Sequence, residues 1–489
     1  MRRALLFKQD YIKLNKRDVC YLKKELDLEF LGFLYSYDRD RINLDFVDNI
    51  YAQPRLQDIK KIIANCIPID GKLLDALSKY EEEALNIIYR WRRSLIYGND
   101  YREIKNCYYS FVAYWNDYIV RNGINLVVIF DIPHVPMYFI PIIICKVYNI
   151  PIIFSVRFAL IADEPARFYL SPGYGELDQA FDSRLQRYQA FKDRGDDLEL
   201  DLMTREYIDA YLGKGVDVKR RIAPYDVKVG KKLIGEYVKR IFVYIKKNDI
   251  RMLARKAKYY GTMRLQENSF LKKVERYEEN IREDEKFFLF LLHLQPEATT
   301  LPLGRWFADQ YIIIKMVSFA LPQGYYLYVK EHPAYWQRKL GRDSFERMDE
   351  CRDKHFYEEL TNLNNVRLIK HELDSQKLIK KSCGLVSVTG SIGFECFMKK
   401  KPVIMFGKSP YNFLPNVYYV DNNEDCVEAV NNMLQTSKLE YDIEVYLKAI
   451  EAYMFCMTEL NQPGHVVDDG EKIAFLKVVS KYYHDFLKN

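Results

Sequence analysis

Short apolar runs alternate with amphipathic stretches through the second half of this chain. Residues 287–294, 325–330, 366–369, 385–388, 402–406 and 417–420 read as buried strands. Residues 307–320, 344–361, 375–381 and 425–435 read as helices, the first stopped by Pro322 and Gly324. Parallel strands need a crossover, usually a helix, and strands covered on both faces are apolar throughout. The alternation therefore predicts a Rossmann-like parallel sheet.

The first half shows one clear unit of the same kind. Residues 126–130 (LVVIF) form a buried strand, 131–136 a turn, the apolar stretch to about 147 a helix, and 151–155 a second strand. Residues 4–7 read as a short first strand. Residues 16–35 and 55–120 carry helical spacings with dense charge, as at Leu73, Leu74, Leu77, Tyr80 and Leu85. Residues 158–183 read as loop, with Pro172, Gly173 and Gly175 clustered, and 186–213 and the chain's last part read as helical. The fold class expected is α/β with two Rossmann-like domains facing a cleft and extra helices in the N-terminal half. The boundaries expected are 1–280, 281–440 and 441–489, the charged connector 278–286 (EENIREDEK) marking the first division.

Composition narrows the class. A chain of 489 residues exceeds one core, and 49% apolar with 29% charged residues is globular. A net charge of +6 at this length does not point to nucleic acid. Nine cysteines stand singly with no CxxC and no zinc-like spacing with His, which fits a reducing cytoplasm and gives no metal site. The start, MRRALLFKQDYIKL, lacks the apolar core of a leader. The most apolar run, 124–154, is broken by Asp131, Pro133, His134, Pro136, Pro141 and Lys146, so it does not read as a spanning helix. Residues 214–276 hold 19 Lys/Arg against 6 Asp/Glu, with an amphipathic helix inside. That stretch either meets an anionic membrane surface or acceptor, or is a solvated face.

Candidate chemistry collects where strands end. Three loops carry it: Gln295-Pro296-Glu297-Ala298-Thr299-Thr300, Lys330-Glu331-His332-Pro333, and Thr389-Gly390-Ser391 with Glu395 one turn on. All strands of a parallel sheet end on one rim, so the loops should gather there. Lys330 and His332 suit a phosphate, and Thr389, Ser391 and the helix amides suit its other oxygens. Glu395 suits ribose hydroxyls. The bland alternative is that Ser391 merely caps a helix and Gly390 merely turns the chain. Asp131 and His134 follow the first-half strand and either serve a site or cap and pack. The patterns GxGxxG and GxxxxGK[ST] are absent, which disfavours NAD enzymes and P-loop kinases. The one DxD, Asp38-Arg39-Asp40, follows no clear strand and reads as a solvated turn.

LHLQPEATT, YVKEHP and SVTGSIGFECFMKKKPVIMFG, with VVIFDIPH and NIPIIF before them, resemble the bacterial capsule polysaccharide synthesis family, which includes capsular Kdo transferases of the GT-B type. The resemblance covers roughly 124–157 and 285–422. It implies a cytoplasmic glycosyltransferase that moves a sugar, such as acidic Kdo, from a CMP-activated donor to an oligosaccharide or glycolipid acceptor. It implies no separate cofactor, no metal and no nucleic-acid partner, and it leaves room for peripheral contact with the inner membrane. By analogy with CMP-sugar enzymes, His332, Pro333, Thr389 and Ser391 would hold the donor phosphate, with Gln295, Lys330, Gly390 and Glu395 beside them. Glu297, then Asp131 and His134, are the candidates for managing the acceptor proton. The alternatives are a CDP-polyol phosphotransferase, a UDP-sugar 2-epimerase, and a non-catalytic glycan-binding protein on the same fold.

Overall fold

The computed structural model describes residues 2–7, 16–35, 49–52, 63–93, 101–129, 132–158, 166–174, 176–177, 179–211, 265, 269–295, 300–336, 352–435, 439–457 and 469–486. Two sheets organise it. The first is built from β1 (Arg2–Phe7), β2 (Leu28–Tyr35), β3 (Asn49–Ala52), β4 (Leu126–Ile129), β5 (Ile152–Phe158) and β6 (Ala166–Ser171). The second holds β7 (Lys286–Leu291), β8 (Tyr325–Lys330), β9 (Val366–Ile369), β10 (Gly384–Ser387), β11 (Val403–Met405) and β12 (Val417–Tyr419). A last strand, β13 (Phe455–Met457), returns to the first sheet.

The second sheet has the order β12-β11-β10-β7-β8-β9 and every pairing is parallel. Its strands are apolar throughout because both faces are covered. Phe288 and Phe290 enter one core with the helix Gln310–Ala320, while Phe287 and Leu289 enter another with the helix Ser375–Lys381. The chain turns from β9 across to β10 on the far side of β7, so the strand order reverses between β7 and β10. That is where open α/β sheets leave a crevice at their carboxyl ends.

The first sheet has the order β13-β6-β5-β4-β1-β2-β3. Its five members from β5 to β3 pair in parallel, and β6 and β13 add antiparallel edges. Leu5 and Phe7 face the large helical core, and Ala4 and Leu6 face the opposite one. The α/β architecture of two Rossmann-like halves with extra N-terminal helices stands as expected. Three local expectations do not. Residues 28–35 form a strand, not part of a helix, because LEFLGFLY brings its backbone tight against a neighbour: a Cβ on Gly32 would lie 2.4 Å from the Tyr118 hydroxyl. Residues 166–171 form a strand, not a loop: Phe168 and Leu170 enter one core and Tyr169 the other. Residues 455–457 pair with that strand inside a stretch read as helical.

The two halves share a core. Phe158 of β5, fully buried, packs edge-on against Phe394 and Tyr411 of the second half at centroid distances of 5.3 and 4.9 Å. Arg90, on the helix Gly71–Arg93, spans the same seam: Nη1 donates to the Leu301 carbonyl at 2.9 Å and Nη2 to the His134 carbonyl. The helix Asp469–Phe486 packs on the first sheet, where Arg2 lies 4.3 Å from the Tyr483 ring centroid. The helix Lys354–Thr361 covers only the end of the helix expected over 344–361; residues 337–351, the basic stretch within 212–264, and Asp38–Asp40 lie outside the described residues.

Candidate functional site

The crevice between β7 and β10 is lined by one imidazole that the sequence motifs contain but do not single out. His293 follows β7 directly. Its Nε2 accepts from the Val388 amide at 3.2 Å and lies 3.1 Å from Ser387 Oγ. An amide can only donate, so Nε2 carries the lone pair and the proton sits on Nδ1. Ser387 Oγ accepts in turn from the Gly390 amide at 3.3 Å. Burial, with Arg352 and His332 nearby, pushes the His293 pKa down to about 3, so the ring is neutral at pH 7. A Cβ on Gly390 would lie 2.9 Å from His293 Cε1, so the glycine is what lets the turn close onto the ring.

The other loops converge on this point. Thr389 is buried, and Gly407 backs it so tightly that a Cβ there would meet Thr389 Cγ2 at 2.4 Å. Ser391 is exposed and opens the helix Ile392–Met398 in αR geometry without a side-chain capping bond, so the capping alternative does not hold. Glu395, buried in the first turn of that helix, accepts from Gln376 Nε2 at 3.0 Å. His332 is half-buried and leads into the turn Pro333–Tyr335.

Beneath these loops lies a buried polar frame. Glu331, closed from solvent, accepts from Arg352 Nη1 at 2.5 Å, Tyr357 Oη at 2.8 Å and the His332 amide at 2.6 Å. Arg352 Nη2 also donates to the His293 carbonyl and, at 3.2 Å, to Gln295 Oε1. Gln295 is therefore structural as well as rim-forming: its Nε2 donates to the Ala308 carbonyl at 2.6 Å, and Gln310 Nε2 donates to its Oε1 at 2.8 Å. A charge this deep persists only when paired and hydrogen-bonded, and here each carboxylate oxygen has a donor. The frame locks the loop after β7 to the loop after β8. Arg352 gives no sequence signal, since it stands in an ordinary charged run.

Lys330, the last residue of β8, is buried. Its neighbours in charge are Glu278, Glu331 and Asp374, and burial lowers its pKa against their pull. Adjacent to it, His371 Nδ1 pairs with Glu278 at 3.0 Å, and the His371 ring stacks on Trp336 at 3.8 Å. Lys330 thus occupies the β8–β9 flank of the rim, while His332, His293, Thr389 and Gly390 occupy the β7–β10 crevice. On the first-half rim, His134 Nδ1 lies 2.9 Å from the Ile132 carbonyl, which can only accept, so the second nitrogen carries the lone pair in the neutral ring. Asp131 and Glu297 lie outside the described residues.

Two Rossmann-like sheets meeting at a seam, with a polar crevice at the carboxyl ends of the second, define a GT-B-like α/β protein. Residues 237–415, which hold all three loops, match the family described as capsule polysaccharide biosynthesis protein. The resemblance read from the motifs is shown over that stretch. No curated protein matches the sequence. Among solved structures the chain is similar to the KpsC beta Kdo 2,7 transferase of Thermosulfurimonas dismutans, at 9% identity over 98% of this chain and 99% of that one (TM-score 0.29). It is similar to the KpsC beta Kdo 2,4 transferase of the same organism, at 12% over 72% and 87% (TM-score 0.28). It is also similar to the UDP-GlcNAc 2-epimerase of Methanocaldococcus jannaschii, at 11% over 92% and 98% (TM-score 0.27). These likenesses are distant, and the fold is defined by the sheet topology. Among the described residues no helix is long and apolar enough to cross a membrane.

Proposed function

We propose that the protein is a glycosyltransferase of surface polysaccharide synthesis. It takes a sugar, an acidic one such as Kdo, from a CMP-activated donor and transfers it to a saccharide or glycolipid hydroxyl. The observation that carries this reading is the gathering of His293, His332, Thr389 and Gly390 at the ends of β7, β8 and β10, inside the stretch that matches the capsule family. A helix start, a neutral imidazole scaffold and a nearby His suit the phosphate on which charge grows as the glycosidic bond breaks. His332, with Lys330 at the flank, would supply that stabilisation without a metal. Glu395 and Gln376 would take the ribose hydroxyls. His134 fits the proton acceptor by its nitrogen geometry, and Glu297 and Asp131 remain candidates by position in the sequence. The basic stretch 214–276 would place the enzyme at the inner membrane face, which sedimentation with anionic vesicles tests.

A thermal-shift panel of CMP, CDP, UDP and GDP checks the donor. Stabilisation by cytidine nucleotides, lost in His332→Ala, is expected; stabilisation by UDP or GDP alone would remove the cytidine assignment. Transfer assays with CMP-Kdo, CMP-sialic acid and CDP-glycerol then separate sugar transfer from polyol-phosphate transfer. No turnover of any donor would leave the glycan-binding alternative. Activity that survives chelator dialysis is expected from a metal-free mechanism.

A further inference from the structure

His293 does more in the crevice than let the turn close. Its Nε2 lone pair is taken up from inside the protein: the Val388 amide donates to it at 3.2 Å, and Ser387 Oγ lies 3.1 Å away. Ser387 Oγ accepts from the Gly390 amide at 3.3 Å, which leaves its own proton to point at Nε2. Two backbone N–H groups of the turn after β10 are therefore used within it. Neither is left for a ligand in the crevice.

The ring gives back what the turn consumes. A neutral imidazole that accepts at Nε2 carries its proton at Nδ1. A second proton, on Nε2, would stand head-on against the Val388 N–H, so the contact itself holds the ring neutral. Among the described residues Nδ1 makes no hydrogen bond, and it is not one of the buried polar atoms left without a partner. The ring is half-buried, so the Nδ1–H faces solvent. The backbone behind it is clamped: the His293 amide donates to Gln310 Oε1 at 2.9 Å, and the His293 carbonyl accepts from Arg352. Hydrogen bonds in a chain polarise one another, so an imidazole loaded at one nitrogen donates more strongly from the other. The groups whose charge acts on the ring are Arg352 and His332, and no carboxylate is among them. A donor fixed in place, polarised and lacking an acceptor suits an anionic oxygen.

We propose that His293 is a phosphate-binding residue: its Nδ1–H donates to a phosphate oxygen of the nucleotide, standing in for the two amides that the turn keeps for itself. The identity of the ligand rests on the nucleotide-donor reading, but the assignment requires neither a cytidine base nor a particular sugar. It also separates His293 from the groups that move protons. With Nε2 occupied, the ring offers one unchanging donor near neutral pH. Charge growing on the phosphate meets a hydrogen bond already in place, with no proton to relocate.

The full chain, its histidines labelled with nitrogen-15, is titrated with CMP, with cytidine and with Kdo and followed by NMR. His293 is recognised by the contact of its Cε1–H with Gly390, so the wild-type protein suffices. The unliganded ring should be the neutral tautomer protonated at Nδ1. CMP should shift the Nδ1–H resonance and slow its exchange with water, and cytidine and Kdo should not. Gln can accept from the Val388 amide but places no N–H at the Nδ1 position. His293→Gln should therefore bind CMP about tenfold or more weakly and cytidine as the wild type does. A ring protonated at Nε2, an Nδ1–H unmoved by saturating CMP, or a response to Kdo and none to CMP would overturn the assignment. So would equal losses for CMP and cytidine in His293→Gln, which is what a structural role alone predicts. If UDP or GDP binds and CMP does not, the cytidine reading fails and His293 is judged on that nucleotide. If none binds, the donor reading fails, and inorganic phosphate decides His293 by the same Nδ1–H signal.

Discussion

Arg352 and Glu331 form a fully buried ion pair, 2.5 Å from nitrogen to oxygen, beneath the loops that end β7 and β8. The pair does not decorate the site but frames it: the same guanidinium reaches the His293 carbonyl, and the same carboxylate anchors the His332 amide.

Removing one partner leaves an uncompensated charge in the interior. Arg352→Met is expected to cost roughly 3–5 kcal/mol, read by urea denaturation. The Glu331→Gln/Arg352→Met double variant should cost less than the sum of the single variants, because the pair is coupled. Additive losses would show that the two groups do not act as a pair.

His293 makes stability depend on acid in a defined window. Its folded pKa, about 3, lies below its ordinary 6.5, so between these values the unfolded chain binds a proton that the folded chain refuses. The sign follows: the contribution is complete above about pH 6.5 and falls by about 1.4 kcal/mol for each unit down to about 3. His293→Gln should therefore unfold less steeply as pH drops, measured as chemical denaturation midpoints from pH 7 to 4. Identical slopes for variant and wild type would mean that the ring is not held neutral.

The second sheet was legible because both its faces are buried, so its strands are unbroken apolar runs and its helices carry clear stops. The rim loops followed from parallel topology, which brings residues 293–295, 331–332 and 389–390 together although they are far apart in sequence. Other features were hidden for physical reasons. β2 lies in a charged stretch whose spacings helices also use, and β6 runs into the Pro172-Gly173 turn, which reads as loop, with one of its two partners, β13, remote in the chain. His293 could have been flagged, since it follows its strand as Asp131 follows β4. The Arg352 frame could not, because nothing in a charged run says which arginine will be swallowed by a core. Lys330 is the last residue of β8 and continues the face of Tyr328, which lies against the helix Ser375–Lys381, whereas His332 lies beyond the strand.

Two glycines of the second half, Gly384 at the start of β10 and Gly407 after β11, should differ in a way that distance alone does not predict. A Cβ at Gly384 would come within 2.2 Å of Met433 Cε, the flexible end of a side chain that can swing away. At Gly407 the contacts are Thr389 Cγ2 at 2.4 Å and two backbone carbonyls, Leu303 at 2.9 Å and Val388 at 3.0 Å, which cannot. Gly407→Ala is expected to lose about 1–3 kcal/mol and weaken nucleotide binding through Thr389, while Gly384→Ala loses less. Melting temperatures and nucleotide titrations on both variants check the order, and the reverse order would place the rigid wall at Gly384.

The seam between the halves makes the last case. Phe158 belongs to the first sheet, but its ring is buried against Phe394 and Tyr411 of the second half. Truncating it to Ala should cost about 3–5 kcal/mol. That loss falls on the contact that couples the halves and not on either sheet's own core. Arg90 acts at the same seam by donating to two carbonyls, Leu301 of the second half and His134 of the first. Calorimetry should therefore show one unfolding transition in the wild type and two in Phe158→Ala/Arg90→Ala, with the higher one little changed. A single transition shifted down as a block would mean that the halves unfold as one unit even without these contacts, and that the coupling is carried by the rest of the shared core.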